Sequence, residues 1–355
     1  MREPGPMHSS ENIGWFANIG LNDRLAVGGK GGSLGELTRT GIPVPPGFVV
    51  RTRAFERFLE ALEREEAIRA RVETLDSHDL DGISALSEQI RARLENAALP
   101  EELQSEILAA HTALCSDSFD SPVAVRSSAT TEDAEGASFA GLQDTYLWVK
   151  GAQAALHCVR SCWASIYSVP SISYRRKHRM PEHGVAMAVV VQRMVDARTA
   201  GVMFTRSPLT GDRSVITIEA AWGLGSSVVS GEVTPDRFVV AKITGEISVR
   251  DISDKHVQHR PAAGGGVDEV ETPEEMRRIP SLSDGELAAL REIGRKVERH
   301  YGRPQDIEWA IDHNGKIFLL QSRPETVWSV KEVAPVAIPA ENPLSHVMNI
   351  FGGRK

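Results

Sequence analysis

The chain has 355 residues, 41% hydrophobic and 25% charged, with a net charge of −8 and a pI near 5.8. Single cores stop growing near roughly 250–300 residues, so two packed subdomains are expected of a soluble globular protein. The acidic balance argues against a general nucleic-acid surface, and the longest apolar run, residues 185–191, is too short to span a bilayer. The opening MREPGPMHSS has no apolar centre and does not read as a signal peptide. Three cysteines form no pairing pattern, and Cys158 and Cys162, one helical turn apart, read as reduced core thiols. The expectation is a cytoplasmic protein with neither nucleic acid nor membrane as partner.

Residues 27–37, VGGKGGSLGEL, pack five glycines around Lys30. The P-loop template fails because Lys30 is followed by Gly31 and Arg24 stands at the first glycine. The dinucleotide template fails because Leu34 falls on its third glycine. What remains is a flexible loop presenting one lysine, with Ser33 to Glu36 as a capping box for a short helix that ends at Gly41. A stiff proline-rich run, residues 42–47, follows.

Residues 54–74 and two further stretches carry helical periodicity to about residue 115. From residue 122 the pattern changes to a short apolar strand, a long small-residue loop and a second strand. A helix over AQAALHCVRSCWASIY and a buried strand over VAMAVVVQRMV come next. The basic cluster Arg175–Arg179 reads as a solvated helix end. AGVMFT, SVITIEA and DRFVVA read as strands, PAAGGG as a surface loop, and Ser283–Glu286 as the cap of a helix over ELAALREIGRKVERHY. No internal repeat is evident. The class is α+β or mixed α/β, in two lobes that meet near residues 190–200.

The most informative stretch is DIEWAIDHNGKIFLLQSRPET, in which two β-rich runs flank Asn314-Gly315. If those two residues form the loop, His313 pairs with Lys316, Glu308 lies opposite Gln321, and Asp306 lies opposite Arg323. Alternation then places these four on one face and Ile307, Trp309, Ile311, Phe318 and Leu320 on the other. A carboxylate, an amide oxygen, a guanidinium and a second carboxylate within cross-strand reach suit Mg²⁺ bridged to phosphates. The competing reading is a surface hairpin with an Asp306–Arg323 ion pair.

With Lys30 and VAVRSSATTEDAEGASFAGLQDTYL added, the chain resembles the nucleotide-binding module of the phosphoenolpyruvate synthase and pyruvate phosphate dikinase family. The resemblance runs from about residue 12 to residue 328, through PVPPGFVV, QRMV, GVMFT, WGLG, VVSGEVTPD and HYGRPQDIEWAID. It implies an α+β, two-lobed ATP-grasp fold with ATP between lobes 1–195 and 196–330, and a tail or docking segment over 331–355. It implies that Lys30 and Arg126 hold the polyphosphate, that Gly141 and Thr145 belong to a loop closing over it, and that Gln192 meets the adenine edge. Glu308 and Gln321 would bind Mg²⁺ and Arg323 a phosphate oxygen. Lys30, Arg126 and Arg323 would be the catalytic cations, since phosphoryl transfer rests on positioning and charge neutralisation.

Two departures stand out. Leu142 stands where members of the family often have Gln in SFAGQ, and Ser226 where they often have Glu in WGLGE. The family's swivelling histidine motif is not seen, and Ser345-His346 reads as tail. A separate phosphohistidine subunit is therefore the expected partner, as in phenylphosphate synthase acting on phenol. A module of phosphoenolpyruvate synthase or rifampin phosphotransferase, or a non-catalytic nucleotide-binding protein, are the alternatives.

Overall fold

The computed structural model describes residues 9–116, 121–130, 144–326 and 328. The first part of the chain supplies β1 (Ile13–Trp15), α1 (Arg24–Arg39), β2 (Gly47–Val50), α2 (Thr52–Glu63), α3 (Ile68–Glu73), α4 (Leu80–Asn96) and α5 (Glu101–Leu114). It continues with β3 (Val123–Ala129), β4 (Thr145–Val149), α6 (Ala152–Ala164), α7 (Val169–Lys177) and β5 (Met187–Arg193). These strands make one antiparallel sheet in the order β1-β2-β5-β3-β4.

The rest supplies β6 (Ala197–Phe204), β7 (Val215–Trp222), α8 (Ser226–Val229), β8 (Asp236–Ala241), β9 (Ile247–Asp251), β10 (Val257–Pro261) and β11 (Val267–Glu271). Then come α9 (Glu274–Arg277), α10 (Asp284–Tyr301), β12 (Gln305–Asp312) and β13 (Ile317–Pro324). A second antiparallel sheet runs β13-β12-β6-β7-β8-β9, and β10 pairs with β11 as a separate ribbon. Antiparallel sheets with helices laid on them make an α+β protein in two lobes. Among the described residues no helix is long and apolar enough to cross a membrane.

β5 sits at the centre of the first sheet, and its two faces explain its unbroken apolar run. Met187, Val189 and Val191 enter the core under α2, α4, α5 and α6, around Trp163, Phe55 and Phe58. Ala188 and Val190 enter a smaller core with Val27 and Leu34 of α1. The second sheet packs Ile216, Ile218, Phe238 and Trp309 against Leu287, Leu290 and Val297 of α10. The capping box at Ser283 is formed: its side chain accepts from Glu286 N, and the Glu286 carboxylate accepts from Ser283 N.

Two expectations need correction. The helix over 54–74 is two helices, because Glu63–Glu66 offer no apolar side chain to hold a continuous helix on the core. Arg175 is not a solvated helix end. Its Nε and Nη2 donate to the two oxygens of Glu182 at 2.9 and 3.1 Å, and its Nη1 donates to Ile166 O and Ser171 Oγ, all buried. PAAGGG is a surface loop as expected, and it forms the tip of the β10–β11 ribbon. Gly266 N donates to Trp148 O and Lys150 Nζ donates to Ala263 O, so the ribbon reaches across to β4 of the first lobe.

Candidate functional site

The glycine-rich stretch is helical, not a flexible loop. α1 runs through it with one break at Gly28, whose φ of +71° is the left-handed region. A Cβ there would lie 2.1 Å from Ser128 O, so the break lets α1 press directly on β3. Ser128 Oγ completes the junction, donating to Val27 O and accepting from Gly31 N. Lys30 follows in the first turn after the break and is buried. The capping box is not formed. Ser33 Oγ donates to Ser322 O at 2.6 Å, and Glu36 Oε1 pairs with His300 Nε2 at 2.8 Å. α1 stops where the sequence places its end: Gly41, φ +69°, donates to Thr38 O and Ile42 N donates to Leu37 O.

The hairpin brings Glu308 opposite Gln321 and Asp306 opposite Arg323 as expected, but by a different route. The loop has three residues, 313–315, with Asp312 N donating to Lys316 O and Gly315 at φ +79°. That shifts the register by one, and a bulge at Leu320 shifts it back. Leu319 therefore takes the core position beneath Trp309. Phe318 and Leu320, assigned to the core face, instead lie on the face that looks into the cleft.

Across the cleft, β3 of the first lobe presents Arg126. Its Nη2 donates to Glu308 Oε2 at 2.9 Å and to Gln321 Oε1 at 2.7 Å, and its Nη1 donates to Leu320 O at 3.0 Å. Its side chain is 10% exposed, and Nε is buried with no hydrogen-bond partner among the described residues. The carboxylate and amide oxygens thus converge on one cationic atom, which is the donor geometry a hard divalent ion also requires. Glu308 and Gln321 fit such an ion.

A cavity of about 340 Å³ lies beside this contact, between the two sheets. Arg126, Thr145, Gln192, Glu308, Leu320 and Ser226 are on its wall. Thr145 is the β4 partner of Arg126. Gln192 is buried at the end of β5, donating from Nε2 to Pro45 O at 3.2 Å. Lys30 is not among the residues found on that wall; α1 carries it on the same face of the first sheet as Arg126, where Val190, the β5 partner of Arg126, packs with Val27 and Leu34. Burial pushes the Cys162 thiol well above its ordinary pKa, and Lys30 opposes that shift. Arg323 points outward, more than half exposed, with Nε on Asp306 Oδ2 at 2.9 Å. Gly141 and Leu142 lie outside the described residues.

Two features of the site escape a reading of the sequence. Glu219 is paired with Val202, which is paired with Glu308, so it shares the cleft-facing side of the second sheet with Glu308 and Asp306. Burial raises the pKa of both Glu219 and Asp306, opposed by Arg237 and Arg323 respectively. The alternation of SVITIEA is the only signal for Glu219. Ser226 shares a 2.8 Å hydrogen bond with His259 Nδ1, while His259 Nε2 meets Glu232 at 2.7 Å. Glu269, paired with His259 across the ribbon, completes a group whose ligand atoms lie within 4.8 Å of one another.

Comparison with known proteins identifies the family. The family described as pyruvate phosphate dikinase, AMP/ATP-binding domain, matches residues 24–342. A probable phosphoenolpyruvate synthase of Methanothermobacter thermautotrophicus is 44% identical over 316 residues, 88% of this chain and 46% of the relative. A phosphoenolpyruvate synthase of Aeropyrum pernix is 41% identical over 359 residues, 92% of this chain and 44% of the relative. The chain thus spans less than half the length of these curated relatives. Partial likeness to a solved D-cycloserine synthetase, DcsG, has a TM-score of 0.32 at 13% identity, over 86% of this chain and 64% of that one. Motif order, two-lobed architecture and match over most of the chain agree: the protein belongs to the pyruvate phosphate dikinase AMP/ATP-binding domain family.

Proposed function

We propose that the chain is the ATP-binding, phosphoryl-donating module of a dikinase of the phosphoenolpyruvate synthase type. ATP is held in the cleft, one phosphoryl group passes to a histidine carried outside the two lobes, and water takes the other, so that AMP and phosphate are released. The observation that carries this reading is the meeting of Arg126 from one lobe with Glu308 and Gln321 from the other. The names of the relatives favour pyruvate as the final acceptor over phenol, which the resemblance alone suggested.

In this reading Glu308 and Gln321 hold Mg²⁺, which when bound neutralises phosphate charge. Arg126 and Lys30 bind phosphate oxygens, and Arg323 contributes a further cation at the cleft mouth. The chain's own work is positioning and charge neutralisation, since phosphoryl transfer asks little covalent chemistry of the protein. The acceptor histidine enters between the lobes and leaves as phosphohistidine, so the cleft mouth doubles as a docking surface.

The test is AMP formation. With ATP and Mg²⁺ alone, the chain binds nucleotide and forms AMP at a negligible rate. Adding a histidine-bearing domain of the family with pyruvate starts AMP release, and mutating that histidine stops it. Glu308→Ala abolishes transfer while ATP still binds weakly. Rapid AMP formation by the chain alone, or full turnover by Glu308→Ala, overturns the proposal. AMP release that depends on phenol rather than pyruvate returns the acceptor to the phenylphosphate reading.

A further inference from the structure

Arg126 engages three oxygens, and two of them are the pair assigned to the divalent cation. Its Nη2 sits 2.9 Å from Glu308 Oε2 and 2.7 Å from Gln321 Oε1, in a place where its side chain is 10% and that of Glu308 25% exposed. A guanidinium nitrogen and a dication cannot occupy the same point, and so little solvent screens their repulsion. We infer that Arg126 competes with the divalent cation for the Glu308–Gln321 oxygens, so that the metal is taken up with nucleotide and poorly without it. This inference rests on the metal assignment made above.

The geometry also says how the exchange works. The bulge carbonyl of Leu320 anchors Nη1, so only the two Nη2 contacts have to be surrendered. The buried Nε has no partner among the described residues, so the guanidinium holds a donor in reserve. Phosphate oxygens entering the cleft offer that donor and Nη2 new acceptors, releasing the carboxylate and the amide oxygen to the ion. Linkage makes the coupling reciprocal: nucleotide strengthens metal binding as much as metal strengthens nucleotide binding.

The experiment is a titration of the chain with Mn²⁺, read as loss of the free-ion electron paramagnetic resonance signal. Without nucleotide, Arg126→Met should bind Mn²⁺ roughly tenfold or more tightly than wild type, the weight of one released charge-assisted hydrogen bond. Glu308→Gln added to that background should remove the gain. Mn²⁺ that stays bound in the double variant belongs elsewhere, such as the Glu232–His259–Glu269 group, and is subtracted. Unchanged or weaker Mn²⁺ binding in Arg126→Met overturns the competition. The metal assignment still stands in that case if Glu308→Gln abolishes uptake alongside a non-hydrolysable ATP analogue. Mn²⁺ uptake that ignores Glu308→Gln in every condition overturns both. Should Arg126→Met not fold, the wild-type chain decides: Mn²⁺ alone bound as tightly as with the analogue, through Glu308, sinks the inference.

Discussion

Glu219 and Asp306 are carboxyls whose burial raises their pKa in the fold. The folded state then binds more protons than the unfolded chain across the carboxylate range, so stability falls as pH rises through it. Glu219→Gln should therefore raise the melting temperature at neutral pH, and the gain should shrink as pH falls and the wild-type carboxyl protonates. Equal gains at both ends of a thermal-melt series would contradict a desolvated carboxylate. Arg175 presents the opposite case, a buried charge fully paired with Glu182. Arg175→Ala should lose about 3–5 kcal/mol in urea denaturation, because it strands the partner charge. Arg175→Met combined with Glu182→Leu should lose much less; equal losses would mean that packing, not charge, holds the site. Neither behaviour is legible in the sequence. RRKHR looks like any solvated basic run, and the partner of Arg175 comes only after the helix has ended.

The hairpin over β12 and β13 shows what a short-range signal can and cannot deliver. Asn314-Gly315 marks the turn, and the outer pairs of the ladder follow from it correctly. Between them a longer loop and a bulge cancel, and neither has a signature in KIFLLQ, where Leu319 and Leu320 are chemically alike. Only packing decides which leucine is buried. β5 is legible for a different reason from the alternating strands: burial on both faces of residues 187–191 leaves no polar position in that run. The glycine-rich stretch misled because glycine serves flexibility and close packing equally well. Here the second use applies, and it is testable. Gly28→Ala demands φ +71° and a Cβ 2.1 Å from Ser128 O. The backbone strain alone is worth about 1–3 kcal/mol, and the clash adds to it. Chemical denaturation should show at least that loss, whereas Gly41→Ala, with nothing within 4 Å, should show strain only. Equal losses at the two positions would refute the close approach of α1 to β3.

The lobes are less separate than a boundary near residue 195 suggests. α1 begins in the core of the first lobe with Val27 and Leu34 and ends in the core of the second, where Leu37 and then Ile42 join Trp309, Ile311 and Leu319. Hydrogen bonds reinforce the crossing: Ser33 Oγ to Ser322 O, Lys296 Nζ to Thr40 O, and Leu319 N to Pro43 O. The ribbon tip returns the connection on another side of the cleft, through Gly266 N and Trp148 O. Lys30 is carried on the same helix, so the cation expected to meet phosphate is fixed to both lobes at once. A helix so placed should transmit damage from one core to the other. Leu37 is fully buried, and Leu37→Ala should lose about 2–5 kcal/mol through the cavity it leaves. Hydrogen exchange should then speed up in α10, β12 and β13, more than 200 positions away in the chain for each of them, while α4 and α5 of the first lobe keep their protection. Faster exchange confined to α1 and the first sheet would show that the second core closes without this helix.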